Sequence, residues 1–259
     1  AVELSSVQAV SQHNMWVNAD IDNGSINYHG LSVEGTVGND IIKLGAGGDR
    51  VNGGEGDDQL YGQRGDDTLN GDNGDDILHA GSGNDELNGG GGSDELVFNP
   101  NEAPGTKVAL NGGAGEDEIT IKQNFVGEIN GGDDDDSIAI DSPRDSSVKL
   151  TNSIISGGSG DDLLDFSAAS TFENNEIDGG AGNDVVLTQA NSGGNVYALS
   201  EGIDFIQHYI SGVDKTNREG IGDEDIELIQ GGEAPNLPES LEGQWSSETS
   251  VTINFSSNG

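Results

Sequence analysis

Aliphatic residues recur every nine positions along the chain from residue 35 onward. Seven consecutive nine-residue blocks fill residues 35–97 without a gap, and the eighth position of each block is aliphatic. These residues are Ile42, Val51, Leu60, Leu69, Leu78, Leu87 and Leu96. The end of each block is strand-like, with one aliphatic side chain that would point into a core. A short, exact repeat predicts a solenoid in which successive coils stack and share one core.

The same blocks carry glycine at positions 1, 2 and 4 and aspartate at position 6. Four further copies begin at Gly112, Gly131, Gly157 and Gly179, at wider spacing. Position 4 is glycine in every copy except one, which has Asp134. Glycine allows backbone turns that are closed to other residues, so these turns can present carbonyl oxygens inward beside the position-6 carboxylate. Position 6 is aspartate in all eleven copies: Asp40, Asp49, Asp58, Asp67, Asp76, Asp85, Asp94, Asp117, Asp136, Asp162 and Asp184.

The composition shows that the many acidic side chains need positive charge to balance them. The 259 residues include 48 Asp and Glu but only 9 Lys and Arg, a net charge of −39, and 31% of residues are hydrophobic. Such values alone favour disorder, but disorder does not preserve an aliphatic residue at position 8. The charge repels nucleic acid and anionic lipid, and no apolar run reaches the roughly 18 residues of a membrane span. We therefore expect neither nucleic-acid binding nor membrane insertion. Without cysteine, no disulfide holds the fold.

The predicted counter-charge is calcium. Like positions of stacked parallel strands lie about 4.8 Å apart. A calcium ion between two oxygens spans roughly 4.6–5.2 Å, so it matches the spacing of the coils. Ligand sets made only of oxygen select a hard cation over Zn²⁺ or Cu²⁺.

The blocks resemble the glycine- and aspartate-rich nonapeptide GGxGxDxUx of RTX (repeats-in-toxin) proteins, continuously over residues 35–97 and in pieces to about residue 187. The resemblance implies a right-handed β-roll, secretion from a bacterium, and folding triggered by extracellular calcium. It implies metal ligands at the eleven aspartates above. It also implies carbonyl ligands at Gly54, Gly56, Gly81, Gly83, Gly90, Gly92, Gly113, Gly115, Gly158, Gly160, Gly180 and Gly182. Leu44 and Ala80 depart from the pattern at position 1, and Thr36, Gln63 and Asp72 depart from it at position 2.

The predicted fold is all-β: a right-handed parallel β-roll that continues into a wider parallel β-helix, with calcium ions in the turns. Four regions follow: a strand-rich cap at 1–34, the roll at 35–97, the wider coils at 98–187 and a second cap at 188–259. Motifs alternate between two edges, eight on one edge and three on the other. The gaps between neighbouring motifs predict up to about nine Ca²⁺ ions.

The predicted function is that of a secreted or cell-surface bacterial calcium-binding module without catalytic residues. Its role would be structural, adhesive or secretion-related, with calcium as ligand and extracellular polysaccharide or other subunits as partners. The alternative is a polysaccharide-acting β-helix enzyme, a lyase or epimerase, or its accessory module. That chemistry needs a base with a Lys, Arg, His or Tyr partner, and the cluster of Asp204, His208 and Tyr209 is the one candidate. A toxin fragment is the third possibility.

Overall fold

The chain is a parallel β-solenoid. A computed structural model describes residues 30–98, 108–141, 148–189 and 193–198, with short strands outside these ranges. None of the described residues forms a helix. The strands are β1 Ser6–Gln8, β2 Trp16–Asn18, β3 Ser32–Thr36, β4 Ile41–Lys43, β5 Arg50–Glu55, β6 Gln59–Arg64, β7 Thr68–Asn73, β8 Ile77–Ser82, β9 Glu86–Gly91, β10 Glu95–Phe98, β11 Val108–Ala114, β12 Glu118–Ile121, β13 Gly127–Asp133, β14 Ser137–Ile140, β15 Lys149–Thr151, β16 Ile154–Ser159, β17 Leu163–Asp165, β18 Thr171–Glu173, β19 Glu176–Ala181, β20 Val185–Leu187, β21 Val196–Ala198, β22 Asp204–Gln207, β23 Lys215–Asn217 and β24 Ile226–Ile229.

Two sheets of 11 strands each form the long walls. The first has the order β1-β3-β5-β7-β9-β11-β13-β16-β19-β21-β23, and the second β2-β4-β6-β8-β10-β12-β14-β17-β20-β22-β24. All pairs are parallel, and the chain crosses from one sheet to the other once in every half coil. The predicted parallel solenoid is therefore confirmed.

The core is built from the position-8 side chains. The register stacks like on like, for example Val51 on Leu69 and Leu69 on Leu87. The seven position-8 residues of the narrow coils are at most 1% exposed. One aliphatic side chain per strand fills the space between the two sheets, so the core of the narrow roll is thin.

The later coils are wider because they gain a third side. β15 and β18 pair as a separate sheet, and an isolated bridge joins Phe125 to Leu150. Aromatic rings fill the added interior: Phe166 stacks on Phe172 at 5.0 Å between ring centroids. The widening was predicted, but the third sheet was not. Residues 167–175 break the repeat, a pattern that predicts an irregular loop, yet β18 lies within them. Its three residues are too few to show an alternating pattern in the sequence.

The proposed region boundaries stay predictions. Most of 1–34 and 188–259 lies outside the described residues. In both terminal regions the described strands, β1 and β2 at one end and β21 to β24 at the other, continue the two long sheets.

Candidate metal centre

The register gathers the eleven position-6 aspartates into two columns, one along each edge of the narrow roll. Each aspartate directly precedes a strand, and the first residues of those strands pair from coil to coil. All eleven are at most 4% exposed. The first column is Asp40, Asp58, Asp76, Asp94, Asp117, Asp136, Asp162 and Asp184; the second is Asp49, Asp67 and Asp85.

In every aspartate of the columns except the first of each, Asp40 and Asp49, one carboxylate oxygen accepts a hydrogen bond from the neighbouring coil. The backbone N–H of Asp58, for example, donates to Oδ1 of Asp76, the aspartate of the next coil, at 2.7 Å. The same bond spans each of the nine gaps in the two columns, at 2.7–3.0 Å. These bonds fix each carboxylate in one orientation, so the position of its second oxygen is fixed as well.

That second oxygen, Oδ2, is buried and accepts no hydrogen bond in eight of the columns' aspartates. They are Asp58, Asp67, Asp76, Asp85, Asp94, Asp117, Asp136 and Asp162. A buried carboxylate oxygen without a partner is costly, because the charge has lost its hydration and gained nothing in return. Its recurrence in gap after gap at the same place shows a feature of the fold rather than a local defect, and such a place suits a cation.

The electrostatics of the columns point the same way. Burial raises the pKa of Asp67 and of Asp136 to about 8, and that of Asp58 and of Asp94 to about 7. In all four the backbone hydrogen bond lowers the pKa, and carboxylates of adjacent coils raise it further. At neutral pH the protein atoms alone therefore stabilise these carboxylates as anions far less than water stabilises an ordinary aspartate.

Backbone oxygens surround the same gaps. All twelve glycines predicted to supply carbonyl ligands adopt a positive φ, including Gly113 at 126° and Gly115 at 119°. A Cβ added at Gly113 would overlap the carbonyl oxygen of Gly90, one coil earlier. At position 1, a Cβ on Gly112 would overlap Oδ2 of Asp117 and lie 2.5 Å from the carbonyl oxygen of the following coil. Oxygens from two coils thus lie close together, a donor set that suits a hard cation.

Three of the departures from the repeat keep the same backbone. Gln63 and Asp72 at position 2 and Asp134 at position 4 have φ of 76–78°. Most glycines at these positions also have a positive φ, at 102–153°, so the three residues keep the sign of φ at a smaller angle. A Cβ at Gly160 would overlap the carbonyl oxygen of Asp134, just as it would with glycine there. The turn at residue 131 is therefore built like its neighbours.

The first aspartate of each column differs from the rest. Thr36 occupies both oxygens of Asp40, since its backbone N–H donates to Oδ2 at 2.6 Å and its hydroxyl to Oδ1 at 2.9 Å. Asp49 accepts the N–H of Leu31 at 2.6 Å. At the other end, Phe205 N–H donates to the carbonyl of Asp184, which places Asp204 on the next rung by register. Asp204 was not predicted to belong to this column, although Gly202 and Ile206 match positions 4 and 8 of the repeat.

The second column continues into the wide coils with other residues: Val108, Gly127, Ser153, Asn175 and Asn195. Oδ1 of Asn175 accepts the N–H of Ser153 at 3.0 Å, which is the bond that aspartate makes elsewhere. Its Nδ2 donates to the carbonyl of Leu150 at 3.1 Å, and Nδ2 of Asn195 donates to Phe172 in the same way. The amide group thus completes the site without a cation. This asparagine column was missed, and its signal is an Asn two residues before the Ile-x-Gly-Gly of the coil at 175–180.

No group of three or more His, Cys, Asp or Glu side chains converges in the described part of the chain. A metal site here would draw most of its ligands from the backbone.

His79 stacks on Tyr61 at 4.7 Å, and the Lys43 ammonium lies 4.5 Å from the Tyr61 ring. His208 and Tyr209 lie outside the described residues. No helix in the part of the chain that the structure describes is long and apolar enough to cross a membrane.

Fold and site together define a parallel β-solenoid with buried aspartate columns along its edges. The family model of the RTX calcium-binding nonapeptide repeat matches the chain four times, at residues 34–69, 61–96, 151–169 and 171–191. These stretches are RTX calcium-binding nonapeptide repeats. The coils of Asp117 and Asp136 fall between the matches, yet they belong to the same column. The comparisons with curated proteins and with solved structures gave no match.

Proposed function

We propose that this chain is a secreted or cell-surface module, without catalytic function, whose folding is driven by calcium binding between its coils. One observation carries the proposal: a buried carboxylate oxygen without a hydrogen bond recurs at the same place in gap after gap. A cation is the one partner that would complete several such oxygens at once and also reduce the net charge of −39.

The proposed ligands of each ion are Oδ2 of a position-6 aspartate and carbonyl oxygens from the turns of two adjacent coils. The twelve positive-φ glycines supply or border these carbonyls. A bound calcium ion would contribute positive charge and accept oxygen ligands. The chain itself holds each carboxylate in place through Oδ1, and it keeps space open at the glycines. Because all donors are oxygens, we propose Ca²⁺ rather than a transition metal.

The proposed number of ions is nine. The coil-to-coil bond to Oδ1 occurs nine times, seven on the first edge and two on the second. Each bond marks one gap between two aspartates of a column. Nine divalent ions would neutralise just under half of the net negative charge.

The mechanism is linkage between metal binding and folding. Aspartates that are far apart in the sequence form a gap only when the coils stack, so calcium binds the folded chain and not the extended one. Without calcium, the thin core must overcome the burial of repeated carboxylates. Each site would have the affinity of extracellular calcium modules, roughly 10⁻⁴–10⁻³ M, strengthened by cooperativity along the stack.

The biological role that fits such a module is structural or adhesive, with extracellular polysaccharide or other subunits as proposed partners. Calcium concentrations are high outside cells, so the module would fold there. The enzymatic alternative rests on a groove in the wide coils, and no observation among the described residues favours it.

The test is a calcium titration of the chelated protein, followed by far-ultraviolet circular dichroism, with magnesium as the control ion. We expect a cooperative gain of β signal in calcium that magnesium does not reproduce. Glu55→Gln, which removes one exposed negative charge, should leave the midpoint unchanged. A full β signal in chelator would overturn the proposal.

A further inference from the structure

A second ladder runs along the outer face of the first sheet, at position 9 of the repeat. It consists of Asn52, Asn70, Asn88, Asn111 and Asn130, which stack by register from β5 to β13. In Asn88, Asn111 and Asn130, Nδ2 donates to Oδ1 of the asparagine one coil earlier, at 2.6–2.7 Å. The amide of Asn52 donates to Glu34, and that of Asn70 to Asp72. The amides of Asn70 to Asn130 therefore form a chain of hydrogen bonds from coil to coil, and Asn52 stacks below them with its amide bonded to Glu34.

Each of these asparagines is followed by the position-1 glycine of a copy on the first edge, where a side chain would meet the aspartate of its own coil. A Cβ at Gly71 would overlap Oδ2 of Asp76, and one at Gly89 would overlap Oδ2 of Asp94. Gly53, Gly112 and Gly131 meet the aspartates of their own coils in the same way. Asn-Gly is the dipeptide most prone to deamidation, since glycine leaves its own nitrogen unhindered. The position-1 glycine of the turn therefore makes every ladder asparagine part of an Asn-Gly step that is prone to deamidation.

We propose that the five ladder asparagines are deamidation sites that are closed in the stacked coil and open in the calcium-free chain. This inference rests on the proposed function, because calcium controls the opening. In the reaction the glycine nitrogen attacks Cγ of asparagine, ammonia leaves, and water opens the resulting succinimide to aspartate or isoaspartate. Ring closure requires the glycine nitrogen to rotate toward the asparagine Cβ. The extended backbone of β5, β7, β9, β11 and β13 holds it away.

The reaction has a structural consequence that exposed asparagines lack. A carboxylate at position 88 has no N–H to donate, so it would face Oδ1 of Asn70 with two acceptors opposed. Isoaspartate also adds a backbone atom to the strand, which shifts the register of the coil. A chain that has spent time without calcium would therefore lose its capacity to refold when calcium returns.

The experiment incubates the full chain at mildly alkaline pH in calcium, in chelator and in urea with chelator. Peptide mapping by mass spectrometry follows each Asn-Gly step, and circular dichroism follows the fold in the same samples. Each site is its own reference, because the urea sample gives its rate in the open chain. Relative to the urea sample, we expect the ladder sites to react at least about tenfold more slowly in calcium, and close to the urea rate in chelator, since protection follows the fraction of open chain.

Two results would overturn the inference. One is reaction of the ladder sites in calcium at the rate of the urea sample while circular dichroism shows the stacked coil in calcium. The other is a deamidated chain that regains its full β signal when calcium is restored. Loss of refolding should be prevented by replacing all five asparagines with serine, the residue that position 9 carries at Ser156, or with glutamine if serine prevents folding. A β signal that persists in chelator would instead refute the proposed function, and the urea sample would still test protection by the strands.

Discussion

The second edge of the solenoid carries two versions of one hydrogen-bonded column. In the narrow roll the column is Asp67 and Asp85; in the wide coils it is Asn175 and Asn195, at the same register position. Both side chains use Oδ1 to accept the N–H of the preceding coil. They differ in the other atom: Oδ2 of aspartate has no hydrogen bond, and Nδ2 of asparagine donates to a backbone carbonyl.

This difference indicates that the aspartates serve to bind a cation and not merely to join the coils. The solenoid does not need a carboxylate to join its coils, because asparagine joins them equally well and satisfies all of its own polar atoms. A carboxylate leaves one buried oxygen without a partner, and that is unfavourable unless a cation binds. The narrow roll has this arrangement on both edges and the wide coils on one edge only. We therefore expect the narrow roll to depend more strongly on calcium.

The largest expected effect comes from converting the asparagine column to the aspartate type. Asn175→Asp removes the bond to Leu150 and places an unpaired charge in a site that is 1% exposed. We expect a loss of about 3–5 kcal/mol of unfolding free energy in saturating calcium, measured by urea denaturation. Asn73→Asp adds the same charge at an exposed side chain and is the matched control. A loss below about 1 kcal/mol would mean that the amide is dispensable.

The reverse exchange, aspartate to asparagine, should affect stability differently with and without calcium. Asp94→Asn removes a buried Oδ2 that has no hydrogen bond, and with it one proposed ligand. We expect lower stability in saturating calcium by about 1–3 kcal/mol, but unchanged or higher stability in chelator. Urea denaturation under both conditions measures this, with Glu55→Gln as control. Equal destabilisation in both conditions would contradict a role for Asp94 in cation binding.

The pH dependence of the calcium-free chain should also be opposite to that of most acidic proteins. Burial raises the folded-state pKa of Asp67 and Asp136 from 3.8 to about 8. The folded metal-free state then binds more protons than the unfolded state, so its stability falls as pH rises between these values. In chelator we expect more β signal at about pH 5 than at about pH 8. Calcium should abolish most of this difference, because it displaces the protons; a difference that persists in saturating calcium would contradict this.

The smallest expected effect concerns the turns of the narrow roll. Gln63 holds a φ of 78°, where other copies have glycine. Gln63→Gly should raise stability in calcium by up to about 1 kcal/mol, because it relieves backbone strain. Gln59→Gly, in the strand of the same coil, should lower it. Thermal unfolding of both variants measures the effect, and a gain from Gln59→Gly would point to a cause other than the turn.

The sequence predicted the parts of the molecule that repeat at a fixed period. Position 8 marked the core and position 6 marked both aspartate columns, because each occurs in every copy. The asparagine column escaped prediction because Ser153, Asn175 and Asn195 lie in coils of unequal length. Only strand pairing shows that they share the place of Asp85. The sequence could not show that Oδ1 accepts the hydrogen bond between coils while Oδ2 accepts none. That difference depends on which oxygen lies next to the backbone N–H of the neighbouring coil.

The most direct test of the account is to count the calcium ions on the folded chain by native mass spectrometry. If calcium binds between the coils, compact chains should carry close to nine ions, one for each gap marked by an aspartate-to-aspartate bond, and extended chains should carry few. Compact chains that hold no calcium would contradict it, because the buried carboxylate oxygens would then be stable without a cation.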